Sequence, residues 1–159
     1  MRNDSGFTLL EVMVAALIVG TSLFALVGMQ AFSFGRNVDG REVTTASNLA
    51  ADMIDRIEFN RRNVAAYTGI DTNVPTTLPP TSQPMARGDY QQWQTLLANS
   101  GLRNAQGIVA VTLQDPDPAT NPTSIGRRFV TVSVNYTANK TSGGTRPVTI
   151  VINTVVAPE

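Results

Sequence analysis

Between Val12 and Phe34 the chain has no charged residue, and most of these 23 positions are apolar on every side of a helical projection. A bilayer core takes roughly 20 apolar residues in a helix. The run therefore predicts a membrane-spanning helix, not a core helix. Thr21 and Ser22 do not spoil it, because their hydroxyls can bond back to their own helix. After Gly35 the pattern turns one-sided. Val43, Ala46, Ala50, Met53 and Ile57 recur at spacings of three and four, and Leu49 and Ile54 widen the stripe. That is the apolar face of an amphipathic helix. Asp52 and Arg56 form an i,i+4 pair on its polar side, worth a few tenths of a kcal/mol. Gly35 and Gly40 weaken the join between the two blocks, by ~1 kcal/mol each relative to Ala. A helix unbroken from Phe7 to Asn60 would be about 80 Å long.

The pattern then changes period. "TGIDTNVPTTLPPTSQPMARG", from Thr68 to Gly88, is rich in Thr and Pro and predicts a loop or linker. "DYQQWQTLLANSG" predicts a short helix with Asp89 as N-cap, a Trp93, Leu96, Leu97 face and Gly101 as its stop. Three strands follow. "GIVAVTLQ" sets Val109, Val111 and Leu113 on one face. "RRFVTVSVNYT" sets Val130, Val132, Val134 and Tyr136 opposite Phe129, Thr131, Ser133 and Asn135. "RPVTIVINTVV" sets Val148, Ile150, Ile152, Thr154 and Val156 together. Alternating β-branched positions of this kind predict half-buried antiparallel strands. "NKTSGGT" joins the last two as a hairpin, and "DPDPATNPTSIG" is a loop between the first two. The expected fold is α+β: a small antiparallel sheet of three to four strands packed on the second half of the long helix.

Composition narrows the chemistry. The 159 residues hold 12 Lys and Arg against 12 Asp and Glu, with neither His nor Cys. A neutral chain with no basic cluster gives no electrostatic reason to expect nucleic acid. Without His and Cys there is no Ser-His-Asp triad, thiolate nucleophile, His-containing zinc site or disulfide. No cofactor is expected. The two carboxylates of "DPDP", at Asp115 to Pro118, fall far short of the six to eight oxygen ligands calcium takes. They suit a turn better. The "GRR" and "NRR" pairs suit solvated faces or anionic-lipid contacts, "SGG" suits a turn, and Trp93 suits a core anchor. No catalysis is expected.

One residue resists a structural explanation. Glu11 stands at the head of the apolar run, in "DSGFTLLEVMVA". An ionised carboxylate in hydrocarbon costs on the order of 3 kcal/mol, less near the interface, and such charges are usually functional. A secretory signal peptide would need a basic start and a small-residue cleavage site behind the apolar run. Here Arg2 is offset by Asp4, and "VGMQAFSFG" is a poor site. A plain signal anchor leaves Glu11 unexplained. A third reading places a cleavage in front of the run, between Gly6 and Phe7. That cleavage creates an α-amine on Phe7, and a carboxylate and an ammonium attract strongly at low dielectric.

"GFTLLEVMVAALIV" resembles the type IV prepilin signature. "LFALVGMQ" (Leu23 to Gln30), "ASNLAADMIDRIEFN" (Ala46 to Asn60) and "DYQQWQTLLANSGL" (Asp89 to Leu102) are similar to blocks of the PilV minor pilins, the pilus modification proteins. The resemblance implies a type IV pilin-like fold. It divides the chain into a leader at 1–6, a transmembrane and assembly half-helix at 7–35, and a periplasmic α+β head at 36–159. It implies cleavage by prepilin peptidase between Gly6 and Phe7, N-methylation of Phe7, and pairing of Glu11 with a neighbouring subunit's N-terminal amine. Its implied partners are other minor pilins and the major pilin, met through the N-terminal helices, with a tip adhesin beyond them. The implied location is the bacterial inner membrane as a single span, then the pilus at the cell surface. The implied role is initiation of pilus assembly at or near the fibre tip, with adhesion, twitching motility and DNA uptake all open as outputs. Two positions depart from the family. Gly28 stands where many major pilins have Pro, and no disulfide can pin the C-terminal region. Two alternatives remain: a minor pseudopilin of a type II secretion system, and a signal-anchored periplasmic binding protein.

Overall fold

The computed structural model describes residues 8–116, 119–140 and 143–158. Helix α1 spans Leu9–Phe59 and passes through Gly20, Gly28, Gly35 and Gly40. The expected weakening at Gly35 and Gly40 does not break it. The chain divides into two units, Met1–Val38 and Asp39–Glu159.

In the first unit the helix is bare. Leu10, Leu17, Phe24 and Phe34 are all exposed, and the most apolar 18-residue window has none of its residues buried. Thr21 Oγ1 donates to the carbonyls of Leu17 and Ile18, and Ser22 Oγ donates to that of Ile18. The two polar side chains are thus closed on their own helix, as their sequence context predicts. The helix is long and apolar enough to cross a membrane. At the end of the run the Arg36 guanidinium lies 4.6 Å from the centroid of the Phe32 ring, a cation–π contact that covers an aromatic face with the first charge after the run.

In the second unit α1 buries one stripe. Ala46, Ala50, Met53 and Ile57 are fully buried and Ile54 nearly so, while Leu49 packs at the margin. Val43 is 40% exposed and lies outside the core, although it continues the same periodicity. A four-stranded antiparallel sheet in the order β1-β2-β3-β4 covers the stripe. The strands are β1 (Ile70–Asp71), β2 (Gln106–Leu113), β3 (Arg128–Asn139) and β4 (Thr145–Val156). Val130, Val132, Val134 and Tyr136 point inward from β3. Val109 and Val111 do so from β2, but Leu113, at its end, is exposed. The expected hairpin is present: Asn139 pairs with Thr145, and Gly143 and Gly144 adopt left-handed backbone angles. Residues Thr141 and Ser142 of that turn lie outside the described residues, as do Asp117 and Pro118 of the β2–β3 loop.

Two local expectations need correction. Of the loop and linker readings of the Pro-rich stretch, the ordered loop holds as far as Gln83, but its last residues, from Pro84, already belong to a helix. The start of the stretch forms β1, which pairs with β2 at Ile70↔Val109, and a 3₁₀ turn follows at Pro75–Thr77. Helix α2 then spans Pro84–Ala98, so Asp89 lies in its second turn and is not its cap. Pro84 starts the helix because a missing N–H costs nothing in the first turn. Leu96 is 41% exposed, so the buried face of α2 is Ala86, Tyr90, Trp93 and Leu97. Gly101 is left-handed at φ +78°, two residues past the C-cap at Asn99.

Trp93 is the core anchor its context predicts. It is fully buried, and its Nε1 donates to the Leu49 carbonyl at 2.8 Å. That bond ties α2 to α1. The ring lies against the β2 backbone at Gly107, where a Cβ would meet Trp93 Cζ3 and Cη2 at 2.3 Å. Only a residue without a side chain admits the ring so close.

Candidate assembly site

The first turn of α1 holds the residue singled out by the sequence. Thr8 precedes the helix, and Glu11 is its third helical residue. The Glu11 backbone N–H lies 3.3 Å from Thr8 Oγ1 and 3.1 Å from the Thr8 carbonyl. Val12 N–H also reaches that carbonyl, at 3.3 Å. Thr8 is therefore an N-cap, and Thr8-Leu9-Leu10-Glu11 carries the Thr-x-x-Glu spacing of a capping box. That signal was available in the sequence and bears on Glu11 directly. A carboxylate in the first turn faces the positive end of the helix macrodipole.

The magnitudes decide how much this explains. An exposed carboxylate at a helix N-terminus gains about 0.3–1 kcal/mol. Holding it in the apolar part of a bilayer costs on the order of 3 kcal/mol. The cap reduces the cost without cancelling it. A positive group outside this helix would offset the remainder. Gly6 and Phe7, the residues of the expected processing site, lie outside the described residues.

The second unit has a polar cluster where α1, the 3₁₀ segment Arg61–Tyr67 and α2 meet. Arg56 Nε donates to Asp52 at 2.8 Å, and its Nη1 donates to Gln92 Oε1 at 2.7 Å and to Asp89 at 3.4 Å. The Tyr67 hydroxyl donates to Asp89 Oδ2 at 2.5 Å and accepts from Asn60 Nδ2 at 3.0 Å. Burial first, and the neighbouring Asp89 second, push the Tyr67 hydroxyl well above the ordinary tyrosine range. Asp52 with Arg56 was legible as an i,i+4 pair. The links to Asp89, Gln92 and Tyr67 were not, because they join residues 22 to 36 positions apart. Every charged group in this cluster has a partner, so it reads as a structural clasp. Beside it, Phe59 is 84% exposed and Met85 46%, at the rim of a shallow groove.

Elsewhere, Arg127 clasps Asp115 at 2.8 Å through Nε. The pairing holds the Asp115 carboxyl below its usual range. It joins the two ends of the β2–β3 loop; the turn expected at "DPDP" includes Asp117 and Pro118, which lie outside the described residues. Among the described residues, no group of three or more Asp or Glu side chains is placed to hold a metal ion.

No curated protein and no solved structure matches the chain. Residues 1–27 match the family model of the prokaryotic N-terminal methylation motif. That motif is typical of type IV pilins and pseudopilins. The second unit supplies the α+β arrangement of a pilin-like fold, with a four-stranded antiparallel sheet on the C-terminal part of α1.

Proposed function

We propose that this chain is a minor pilin of a type IV pilus that takes part in initiating assembly, at or near the fibre tip. The carrying observation is the methylation motif set directly against a capped Glu11 and an unburied apolar helix. In this reading prepilin peptidase cuts between Gly6 and Phe7, and Phe7 is N-methylated. Each processed subunit then presents an ammonium group at its new N-terminus. Glu11 of an incoming subunit takes that ammonium as its partner and so fixes the register of neighbouring helices. The chain is a substrate and building block and performs no catalysis. Its second unit lies in the periplasm before assembly and at the cell surface afterwards.

The partners are the other minor pilins and the major pilin, through the N-terminal helices, with PilV-type blocks favouring the pilus over a secretion system. Gly6→Asp tests the processing step. It is expected to leave the leader attached, as read by N-terminal sequencing. Normal removal of the leader from this variant would overturn the proposal.

A further inference from the structure

The apolar run from Val12 to Phe34 contains four polar side chains, and they are of two kinds. Thr21 and Ser22 close on carbonyls of their own helix. Gln30 and Ser33 do not. Both are exposed, and among the described residues neither side chain has a hydrogen-bond partner. For Gln30 its own helix cannot supply one. A carboxamide needs a donor as well as acceptors. The interior of a helix has no donor to spare, since each N–H there bonds to the carbonyl four residues back. Depth does not relieve it either. Gln30 lies six residues before Arg36, the first charge after the run, which places it about 9 Å deeper along the axis. Its Cα–Cβ bond tilts toward the helix N-terminus, further into the hydrocarbon. An unpaired carboxamide there is costly.

The spacing shows on which side a partner would lie. Val19, Leu23, Leu26, Gln30, Ser33 and Asn37 recur at alternating spacings of four and three. That is the seam of two supercoiled helices. Its apolar members Val19, Leu23 and Leu26 are all exposed. Gln30 and Asn37 are the two carboxamides between Leu9 and Val38, and they stand seven residues apart. They therefore occupy the same heptad position, where a polar side chain fixes register and oligomeric state. Glu11 and Arg36 fall off the seam, and Arg36 is turned back over the Phe32 ring.

We propose that this half of α1 pairs in parallel with the same helix of a second copy, with Gln30 facing Gln30 inside the bilayer. Symmetry selects the partner. Copies inserted in one membrane run the same way, so a two-fold axis along the helix pair brings each residue to the depth of its counterpart. In a parallel pair, residues at one heptad position meet their own counterparts. A carboxamide is its own complement: an N–H from each copy donates to the C=O of the other. Asn37 repeats the contact one heptad on. Ser33, between them, is small and lets the two backbones approach. Glu11, off the seam, stays open to the amine it meets in the proposed assembly. Pairing needs only that the helix spans the membrane, not that the leader is cut.

The test uses the full chain, which has no Cys, reconstituted in phosphatidylcholine vesicles. Ser33→Cys puts a thiol on the seam, and Ala31→Cys puts one off it at nearly the same depth. Under mild oxidation Ser33→Cys is expected to form a disulfide dimer, because seam residues face each other across the two-fold. Ala31→Cys is expected to form about ten-fold less. Gln30→Leu, added to Ser33→Cys, removes the carboxamide and keeps an apolar seam. It is expected to weaken pairing about three- to ten-fold, whereas Gln30→Asn retains most of it. None of these residues belongs to the core of the second unit, so the unfolding temperature by circular dichroism is expected to stay at the parent value. No dimer from Ser33→Cys, equal crosslinking from residues 31 and 33, or pairing unchanged by Gln30→Leu would each overturn the proposal. Ser33→Cys dimers in a chain that keeps its leader in cells with a prepilin peptidase would uphold it and count against the pilin reading alone.

Discussion

Gly107→Ala adds one methyl group and is expected to cost as much as a serious core mutation. The new Cβ would lie 2.3 Å from Trp93 Cζ3 and Cη2 and 2.8 Å from Leu97 Cδ1. Relief to ordinary van der Waals contact requires the ring to retreat by about 1 Å. Trp93 cannot do so freely, because its Nε1 is bonded to the Leu49 carbonyl and its side chain is fully buried. Forcing a methyl into a packed site costs about 1–3 kcal/mol. For a unit of this size that lowers the unfolding temperature by roughly 4 °C per kcal/mol. Unfolding of the full chain in detergent is followed by circular dichroism, because Trp93 is the chain's one tryptophan and its fluorescence is lost in the control. The control is Trp93→Phe, whose shorter ring lacks the clashing atoms. It is destabilising alone, yet its cost is expected to be smaller when Gly107→Ala is already present. An unfolding temperature unchanged by Gly107→Ala, or strictly additive losses, would refute the packing argument.

Glu11→Ala is expected to leave membrane insertion and the second unit intact and to remove the chain from sheared fibres, read by immunoblot of the fibre and membrane fractions. Thr8→Ala is expected to cost the first turn about 1 kcal/mol, read as faster amide exchange at Glu11. The Tyr67 hydroxyl is raised above its ordinary value of 10.0 by burial and by Asp89. The folded state therefore keeps a proton that the unfolded chain loses, so this contribution is full below about pH 10 and falls as pH rises beyond it. Unfolding measured from about pH 8 to 11 is expected to show that fall, and Tyr67→Phe to flatten it. Tyr136, also raised by burial and Glu42, sustains the remainder.

The features legible in the sequence were those governed by short-range pattern. The bare span, the apolar stripe from Ala46 to Ile57 and three long strands all follow from one period or the other. What pattern could not supply was contact at a distance. Strand β1 is two residues long and exists because β2 offers it bonds. Asp89 looked like a cap because Asp precedes an apolar helical pattern, but Pro84 starts the helix earlier and leaves Asp89 for Tyr67 and Arg56. Val43 keeps the period of its helix face and yet lies outside the core, since periodicity does not say how far a sheet extends. At the assembly site the reverse held. The spacing of Thr8 and Glu11 was in the sequence, and the structure showed that the helix begins between them.

The central claim is that the chain is cut ahead of its apolar helix, so that a new amine can meet Glu11. The direct measurement is the N-terminal sequence and intact mass of the protein purified from the membranes of cells that contain a prepilin peptidase. The account predicts a chain that begins at Phe7 and carries one N-methyl group. A chain that begins at Met1, or behind Phe34, would contradict it.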